Sequence, residues 1–179
     1  GGGAGGLLAS PGIAPPSTNQ GGAQTAAIGS YAVVIGAGGR GGYSTPSLAT
    51  GKGGANGVDS SIAWTPGTVT SAGGGGGSAN PDGPNPGGSV GGGEGAYSPF
   101  VRSPGAAGTN VGSANQQGYP GAQGSETPQS PDYRSGGGGG GAGGAGEPGD
   151  PATEAGASPA TKGRGGIGLQ LKIASTPAV

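Results

Sequence analysis

The hydrophobic residues of this chain are concentrated in three short stretches, separated by long tracts of glycine, proline and small polar residues. Residues 28–35 are rich in β-branched and aromatic side chains and end at a glycine, and residues 58–64 form a shorter stretch of the same kind. In residues 166–173 isoleucine and leucine alternate with glycine, glutamine and lysine. Alternation with a period of two is typical of β-strands. The pattern therefore predicts three short β-strands, and because no stretch has helical periodicity, it predicts no α-helix.

Glycine blocks separate these predicted strands and recur at irregular intervals, so the chain lacks the fixed period of a solenoid. The longest block, residues 136–146, contains only glycine and alanine. Collagen requires glycine at every third position over long runs. That period fails at the uninterrupted run 73–77, and the triplets that begin at Gly146 stop at Ala152. The sequence therefore excludes a collagen triple helix.

Composition shows that side-chain burial cannot order this chain. Of the 179 residues, 52 are glycine and 17 are proline, and hydrophobic residues make up 29%. Ordering a residue costs about 1–2 kcal/mol of backbone entropy, whereas a buried large aliphatic side chain returns about 1.5–3 kcal/mol. So few large aliphatic residues cannot offset that cost over the whole length. Composition alone favours intrinsic disorder, and an ordered fold needs another source of stability.

Glycine itself offers that source. An extended three-fold helix of the polyproline type makes no internal hydrogen bonds, so parallel copies can pair their backbone groups with one another. Only glycine allows backbones to approach this closely. We therefore expect a single glycine-rich domain over residues 1–179, mostly irregular or all-β. It would be a bundle of polyglycine II helices packed through backbone hydrogen bonds, with loops at its two ends.

Charge and residue usage exclude several functions. The net charge of −1 lacks the basic surface of a nucleic-acid-binding protein, and no apolar run approaches the length of a membrane span. Cysteine and histidine are absent, and the acidic residues lie singly in loops. We therefore expect no enzymatic activity, no cofactor, no metal site, no nucleic-acid partner and no membrane insertion.

One motif imitates a nucleotide-binding site. Residues 36–41 match the dinucleotide fingerprint Gly-x-Gly-x-x-Gly and follow a predicted strand. That site requires a helix whose N-terminus meets the pyrophosphate. Pro46 and several glycines follow the motif and prevent such a helix, so we interpret the match as a by-product of glycine content.

Three further motifs occur in a distinctive order. They are Tyr31-Ala-Val-Val-Ile-Gly-Ala-Gly-Gly39, then Gly54-Ala-Asn-Gly-Val-Asp-Ser-Ser61, and finally Gly163-Arg-Gly-Gly-Ile-Gly-Leu-Gln-Leu-Lys-Ile173. With variable loops between the glycine blocks, this order resembles the glycine-rich domain of bacteriophage tail-fibre and virion appendage proteins. The resemblance covers nearly the full length. It implies a sandwich of polyglycine II helices whose loops contact the host receptor. The leading hydrophobic strand of that family is missing, which predicts a fragment of a longer chain.

Aromatic and arginine side chains in the loops are the candidate contact residues, because both types are enriched in binding hot spots. Their other interpretation is structural: they would plug the ends of the bundle or pack between subunits. The candidates are Tyr97, Phe100, Arg102, Tyr119, Tyr133 and Arg134.

The leading hypothesis is a virion structural protein that displays loops for host-cell attachment. Its partners would be other virion or fibre subunits, with homo-oligomers included, and a protein or glycan receptor on the host surface. Its location would be the virion or the extracellular space. The alternative is an extracellular filament, matrix or surface-layer protein with no receptor-binding role. An ice-binding protein is a distant third, because the flat, regularly spaced threonine or alanine face that it needs is not found.

Overall fold

The fold is a set of short β-strands and longer extended segments, without a helix in the part of the chain that the structure describes. The computed structural model describes residues 2–9, 27–44, 51–63, 67–79, 83–94, 96–97, 116–127, 135–149 and 163–171. In chain order its strands are β1 Val33–Val34, β2 Tyr43–Ser44, β3 Gly51–Lys52, β4 Ser60–Ala63, β5 Thr68–Ser71, β6 Ala96–Tyr97 and β7 Glu126–Thr127.

The largest sheet has three antiparallel strands in the order β1-β4-β5. Val33 pairs with Ile62, which in turn pairs with Val69. Strands β2 and β3 form an antiparallel pair, and β6 and β7 form a parallel pair. β-Branched residues favour this pairing, since they fit a pleated, half-buried surface.

The structure corrects the predicted strand bounds. Within 28–35 only β1 is a strand, and within the described part of 58–64 the strand β4 covers residues 60–63. The strand predicted at 166–173 is wrong for residues 166–171, which are extended but unassigned, and residues 172–173 lie outside the described residues. Gly163, Gly166 and Leu169 are half-buried, whereas the residues between them are exposed. Burial thus follows a period of three, which overrides the alternating sequence pattern.

Ten extended segments, g1 to g10, connect the strands and bends of the described residues. They are g1 (2–8), g2 (35–42), g3 (53–59), g4 (72–78), g5 (83–86), g6 (90–94), g7 (116–125), g8 (135–141), g9 (145–149) and g10 (163–171). Bends at 87–89 and 142–144 join g5 to g6 and g8 to g9. Most successive segments run in opposite directions, so several neighbours lie antiparallel, whereas g6 and g7 run parallel.

Hydrogen bonds between these segments recur every third residue. In g3 the amides of Gly54 and Gly57 donate to g4, at Gly77 and Gly74, both at 2.9 Å. The next amides along, those of Ala55 and Val58, donate instead to g2, at Arg40 and Ala37, again at 2.9 Å. Successive donors therefore turn towards different neighbours, and pairing with one neighbour repeats after three residues. A β-strand would alternate between two sides instead.

The interior of the bundle is backbone rather than side chain. Residues 88–93 and 137–141 are buried, and almost all of them are glycine. Val90 is the one buried hydrophobic side chain among the described residues, at 0% exposure. The backbone of Val90 bonds only to other backbone: its N–H donates to the Tyr119 carbonyl at 3.2 Å, and the Val90 carbonyl accepts from the Gly140 amide at 2.9 Å. Buried backbone groups are therefore paired across segments, as burial requires.

Glycine is required where the segments touch. A Cβ at Gly36, Gly39 or Gly42 would overlap the backbone of g3 or β3, whereas a Cβ at Gly38 or Gly41 would meet nothing within 4 Å. Segment g2 thus needs glycine at one position in three. Segment g8 has neighbours on all sides: a Cβ would meet g7 at Gly137, g10 at Gly138 and g1 at Gly139. An uninterrupted glycine run therefore marks a segment surrounded by others.

Candidate functional site: the loop end

One end of the bundle, which we call the loop end, gathers residues that border several ranges outside the described residues. Neighbouring segments are joined there by backbone hydrogen bonds: Gly54 to Gly77, Ser78 to Gly92 and Gly137 to Gly93. The residues bordering 45–50, 80–82, 128–134 and 150–162 lie at or next to this level, as does β6, which precedes 98–115. Gln116, which follows 98–115, lies towards the other end, because Gln117 is hydrogen-bonded to Leu7 and Thr70. At the other end, the sheet end, lie β1, β4 and β5 and the bends at 87–89 and 142–144.

The parallel pair of β6 and β7 places two of the flanking positions side by side. Ala96 pairs with Glu126, and Tyr97 pairs with Thr127. Stretch 98–115 follows β6 directly and stretch 128–134 follows β7. The sequence predicted contact residues in both stretches, and the pairing brings the starting points of the two stretches together.

Two serines close the stretch that contains Tyr133 and Arg134. The Ser125 amide donates to the Ser135 carbonyl at 2.8 Å, and the Ser135 amide donates to the Ser125 hydroxyl oxygen at 2.8 Å. Gly149 lies beside this pair, and its amide donates to the Gln123 carbonyl at 2.8 Å. Both ends of 126–134 are thus fixed at one place on g7 and g8, so sequence between them can vary without moving the scaffold.

The structure locates only some of the predicted contact residues. Phe100, Arg102, Tyr133 and Arg134 lie outside the described residues. The backbone of Tyr97 is in β6 at the loop end, and its side chain is outside the description. Tyr97 is therefore the only candidate among the described residues that lies at the loop end.

Tyr119 lies elsewhere, in the middle of the bundle. Its amide donates to the Gly141 carbonyl at 3.2 Å, near the bend that belongs to the sheet end, and its side chain is half-buried. Eight residues of extended chain separate it from Thr127, or about 25 Å at roughly 3.1 Å per residue. Tyr119 is thus not grouped with Tyr97, and its position fits the structural interpretation of the aromatic residues.

A cationic and aromatic cluster at the loop end was missed by the sequence reasoning. The Arg40 guanidinium lies over the Tyr43 ring, 4.3 Å from its centroid, and Tyr43 pairs with Lys52 across β2 and β3. Arg and aromatic side chains stacked in this way are attracted through the ring quadrupole. The available signal was the three-residue spacing of Arg40 and Tyr43 at the end of a glycine block, which matches the three-residue repeat of the hydrogen bonds along g2.

The false nucleotide fingerprint coincides with g2. Residues 36–41 are extended, and the next described residues enter β2 rather than a helix. Among the described residues, no helix N-terminus therefore faces these glycines. Contact with g3 accounts for Gly36, whereas a Cβ at Gly38 or Gly41 would meet nothing within 4 Å.

Other kinds of site were sought in the same residues. Within the described ranges, no three residues of the types His, Cys, Asp and Glu cluster closely enough to hold a metal ion. The described residues also contain no helix of the length and apolarity needed to cross a membrane. Comparison of the chain with protein-family models, curated proteins and solved structures gives no match.

Proposed function

We propose that this protein is a virion structural protein, a glycine-rich domain of a phage tail fibre or appendage. In this proposal the extended segments are polyglycine II helices, and the loop end displays variable stretches for attachment to a host-cell receptor. Its location is the virion, and its partners are other fibre subunits and the host surface.

The observation that carries the proposal is the three-residue repeat of the contacts between segments. Hydrogen bonds repeat this way between g3 and g4, between g3 and g2, and between g6 and g7, where Val90 and Gly93 donate to Tyr119 and Ala122. Three residues per turn is the geometry of the polyproline type of helix. A backbone lattice of this kind supports loops without a hydrophobic core, and the order of the sequence motifs resembles phage appendage domains.

The two ends of the bundle support different roles. At the sheet end Val33, Val34 and Ile35 are exposed, and Ile35 retains 80% of its accessible surface. Grouped exposed apolar residues mark interaction surfaces, so this end suits attachment to a fibre. The loop end carries Arg40, Tyr43 and the flanks of the variable stretches, which suits recognition. Separate ends allow the loops to change without disturbing the attachment.

A filament, matrix or surface-layer protein is the second candidate. A filament would use a repeating contact at both ends, whereas an appendage would attach through one. Electron microscopy of the purified chain distinguishes them, because open-ended fibres would support the filament and closed particles the appendage.

Host attachment is tested by substituting the predicted contact residues in the intact appendage. Phe100, Arg102, Tyr133 and Arg134 are replaced by alanine, with Glu154→Ala, in another loop, as the matched control. We expect reduced adsorption of particles to host cells for the first set and unchanged adsorption for the control, with equal unfolding temperatures. Full adsorption by the four-fold variant would contradict the receptor-binding role and leave the filament alternative.

A further inference from the structure

A groove runs along the bundle between g1 and g2, with g3 and g4 as its floor. It encloses about 780 Å³ and is lined mainly by glycine. Segment g1 pairs with g4, as Gly3 does with Gly75, and g2 pairs with g3, as Arg40 does with Ala55. Within the described residues no hydrogen bond joins g1 to g2. The groove therefore has the position of a further segment that would contact all four.

Six of the glycines that line this groove, at positions 2, 5, 38, 41, 54 and 57, have no overlapping contact within the folded chain. A Cβ at Gly54 or Gly57 would approach backbone at 3.4 or 3.3 Å, and at Gly2 or Gly5 at 3.6 or 3.9 Å. Gly38 and Gly41 meet nothing within 4 Å. By contrast, a Cβ at Gly76, on the inner side of g4, would overlap the Gly54 carbonyl. The pairs in g1, g2 and g3 are each spaced by three residues. Glycine carries an entropic cost, so its use here indicates contact with something outside the described chain.

Two backbone amides on the floor lack a partner among the described residues. The amides of Gly75 and Ser78 donate to g6 and its bend, whereas no hydrogen bond uses the amides of Gly74 or Gly77. The Gly74 nitrogen is the atom nearest to a Cβ built on Gly57, at 3.3 Å, and the Gly77 nitrogen lies 3.4 Å from a Cβ built on Gly54. They thus lie along the groove-facing side of g3 with the three-residue spacing of the bundle. An occupant with carbonyl groups at that spacing would satisfy both amides.

The charged residues that line the groove lie at one of its ends. Arg40 and Lys52 line it at the loop end, and no aspartate or glutamate is among its lining residues. The groove therefore favours an occupant that carries an acidic residue at that end.

We propose that the groove binds an extended, glycine-rich segment of a second polypeptide, with an acidic residue beside Arg40 and Lys52. The occupant would form with g1 and g2 the kind of backbone contacts that g3 makes with g4. The interface would thus continue the packing of the bundle. Side chains larger than hydrogen fit only where the occupant faces solvent. Arg40 and Tyr43 belong both to this groove and to the loop end. The host-attachment test substitutes residues of 98–115 and 128–134 instead, so the two proposals can fail separately.

The test measures amide hydrogen exchange by NMR on the whole chain, with a synthetic peptide of four Gly-Gly-Ala repeats ending in glutamate. We expect the peptide to slow exchange at Gly74 and Gly77 by about tenfold or more, since hydrogen bonding protects amides. No change at these amides with peptide up to millimolar concentration would overturn the proposal.

Alanine variants locate the binding. The pair Gly54→Ala and Gly57→Ala fills the groove without overlapping the chain, whereas Gly29→Ala and Gly168→Ala occupy open space elsewhere. We expect the second variant to unfold at or above the original temperature, and the first to remain folded, with neighbouring backbone shifted by a few tenths of an ångström. Only the first should lose the peptide effect. Equal binding by the two variants would overturn the proposal. Protection of Gly74 and Gly77 in a monomer before peptide is added would also overturn the proposal, because it would assign the groove to this chain. The same protection in a dimer would support the proposal, with a second copy of the chain as the occupant.

Discussion

Gly137 donates its amide to the carbonyl oxygen of Gly93 at 2.8 Å, and the two segments consequently lie too close for a side chain between them. A Cβ on Gly92 would overlap the Gly137 carbonyl. The obstacle is backbone on both sides, so neither partner can rotate away. Stability at this contact therefore requires that position 92 carries no side chain.

Alanine at Gly92 should consequently be among the most damaging single changes. We expect Gly92→Ala to lower the free energy of unfolding by about 3 kcal/mol or more, at the upper end of overpacking costs. Gly168→Ala, where a Cβ meets nothing, should be neutral or raise stability by about 0.4–1 kcal/mol through the unfolded state. Denaturant unfolding of both proteins measures the difference, and equal midpoints would contradict the packing described.

Neighbouring glycines in g2 should respond oppositely to the same substitution. Gly39→Ala would place a Cβ against the Ala55 carbonyl, whereas Gly38→Ala and Gly41→Ala would add it to open space. We expect only Gly39→Ala to lower the thermal unfolding temperature. A strand-like alternation would instead group Gly39 with Gly41, so the three unfolding curves distinguish a period of three from a period of two.

Removal of the buried hydrophobic side chain should cost less than adding a methyl group at a glycine contact. Val90→Ala deletes two methyl groups from a fully buried position, which predicts a loss of about 2 kcal/mol in the free energy of unfolding. A loss larger than that of Gly92→Ala would indicate that side-chain burial, not backbone contact, dominates this fold.

Asn56 joins three segments through its side chain. Its Oδ1 accepts from the buried Gly76 amide at 3.0 Å, and its Nδ2 donates to the Pro86 carbonyl at 2.6 Å. Asn56→Ala should cost about 1–3 kcal/mol of unfolding free energy, because it leaves a buried amide without a partner. Asn56→Asp keeps the acceptor and should lose less. Chemical denaturation gives the order of the three proteins, and an alanine variant as stable as the original would refute this role.

Amide exchange should follow the hydrogen bonds between segments. The amides of Gly137 and Gly140 are paired and buried, whereas no hydrogen bond of the described residues uses those of Gly38 and Gly41. We expect the first pair to exchange only through large-scale opening and the second pair at nearly the unfolded rate. Uniformly fast exchange across all four would mean that the segments do not pair in solution.

Much of the architecture follows from the sequence, because glycine content excludes a side-chain core and the Val33 and Ile62 stretches have strand propensity. The absence of helix in the described residues and the short strands near 28–35 and 58–64 were predicted. The strand predicted at 166–173 is wrong for residues 166–171, where Ile167 is 70% exposed and the segment packs against the backbone of g8. Alternation of hydrophobic and polar residues predicts a strand only when one face of the strand packs on a side-chain core. Here the neighbouring segment presents backbone instead.

The candidate site was less predictable. Aromatic and arginine residues could be selected by type, but Tyr119 and Tyr97 carry no local signal that separates the interior of a bundle from its end. Only the pairing of segments distinguishes them. Arg40 and Tyr43 were hidden in a glycine block because the period that aligns them is set by contact with g3, not by hydrophobicity.

The uniform run of g8 has a consequence for how the chain finds its alignment. Every residue from Gly136 to Gly141 is chemically identical, so sliding the run by one position and turning it would present the same atoms to each neighbour. Nothing within the run distinguishes these alternatives. The alignment of the run is therefore set by its two anchors, the Ser125–Ser135 pair and the bend closed by Gly141 and Gly144. The number of glycines in the run must therefore match the distance between the two anchors. An added or lost glycine would strain the anchors rather than the run.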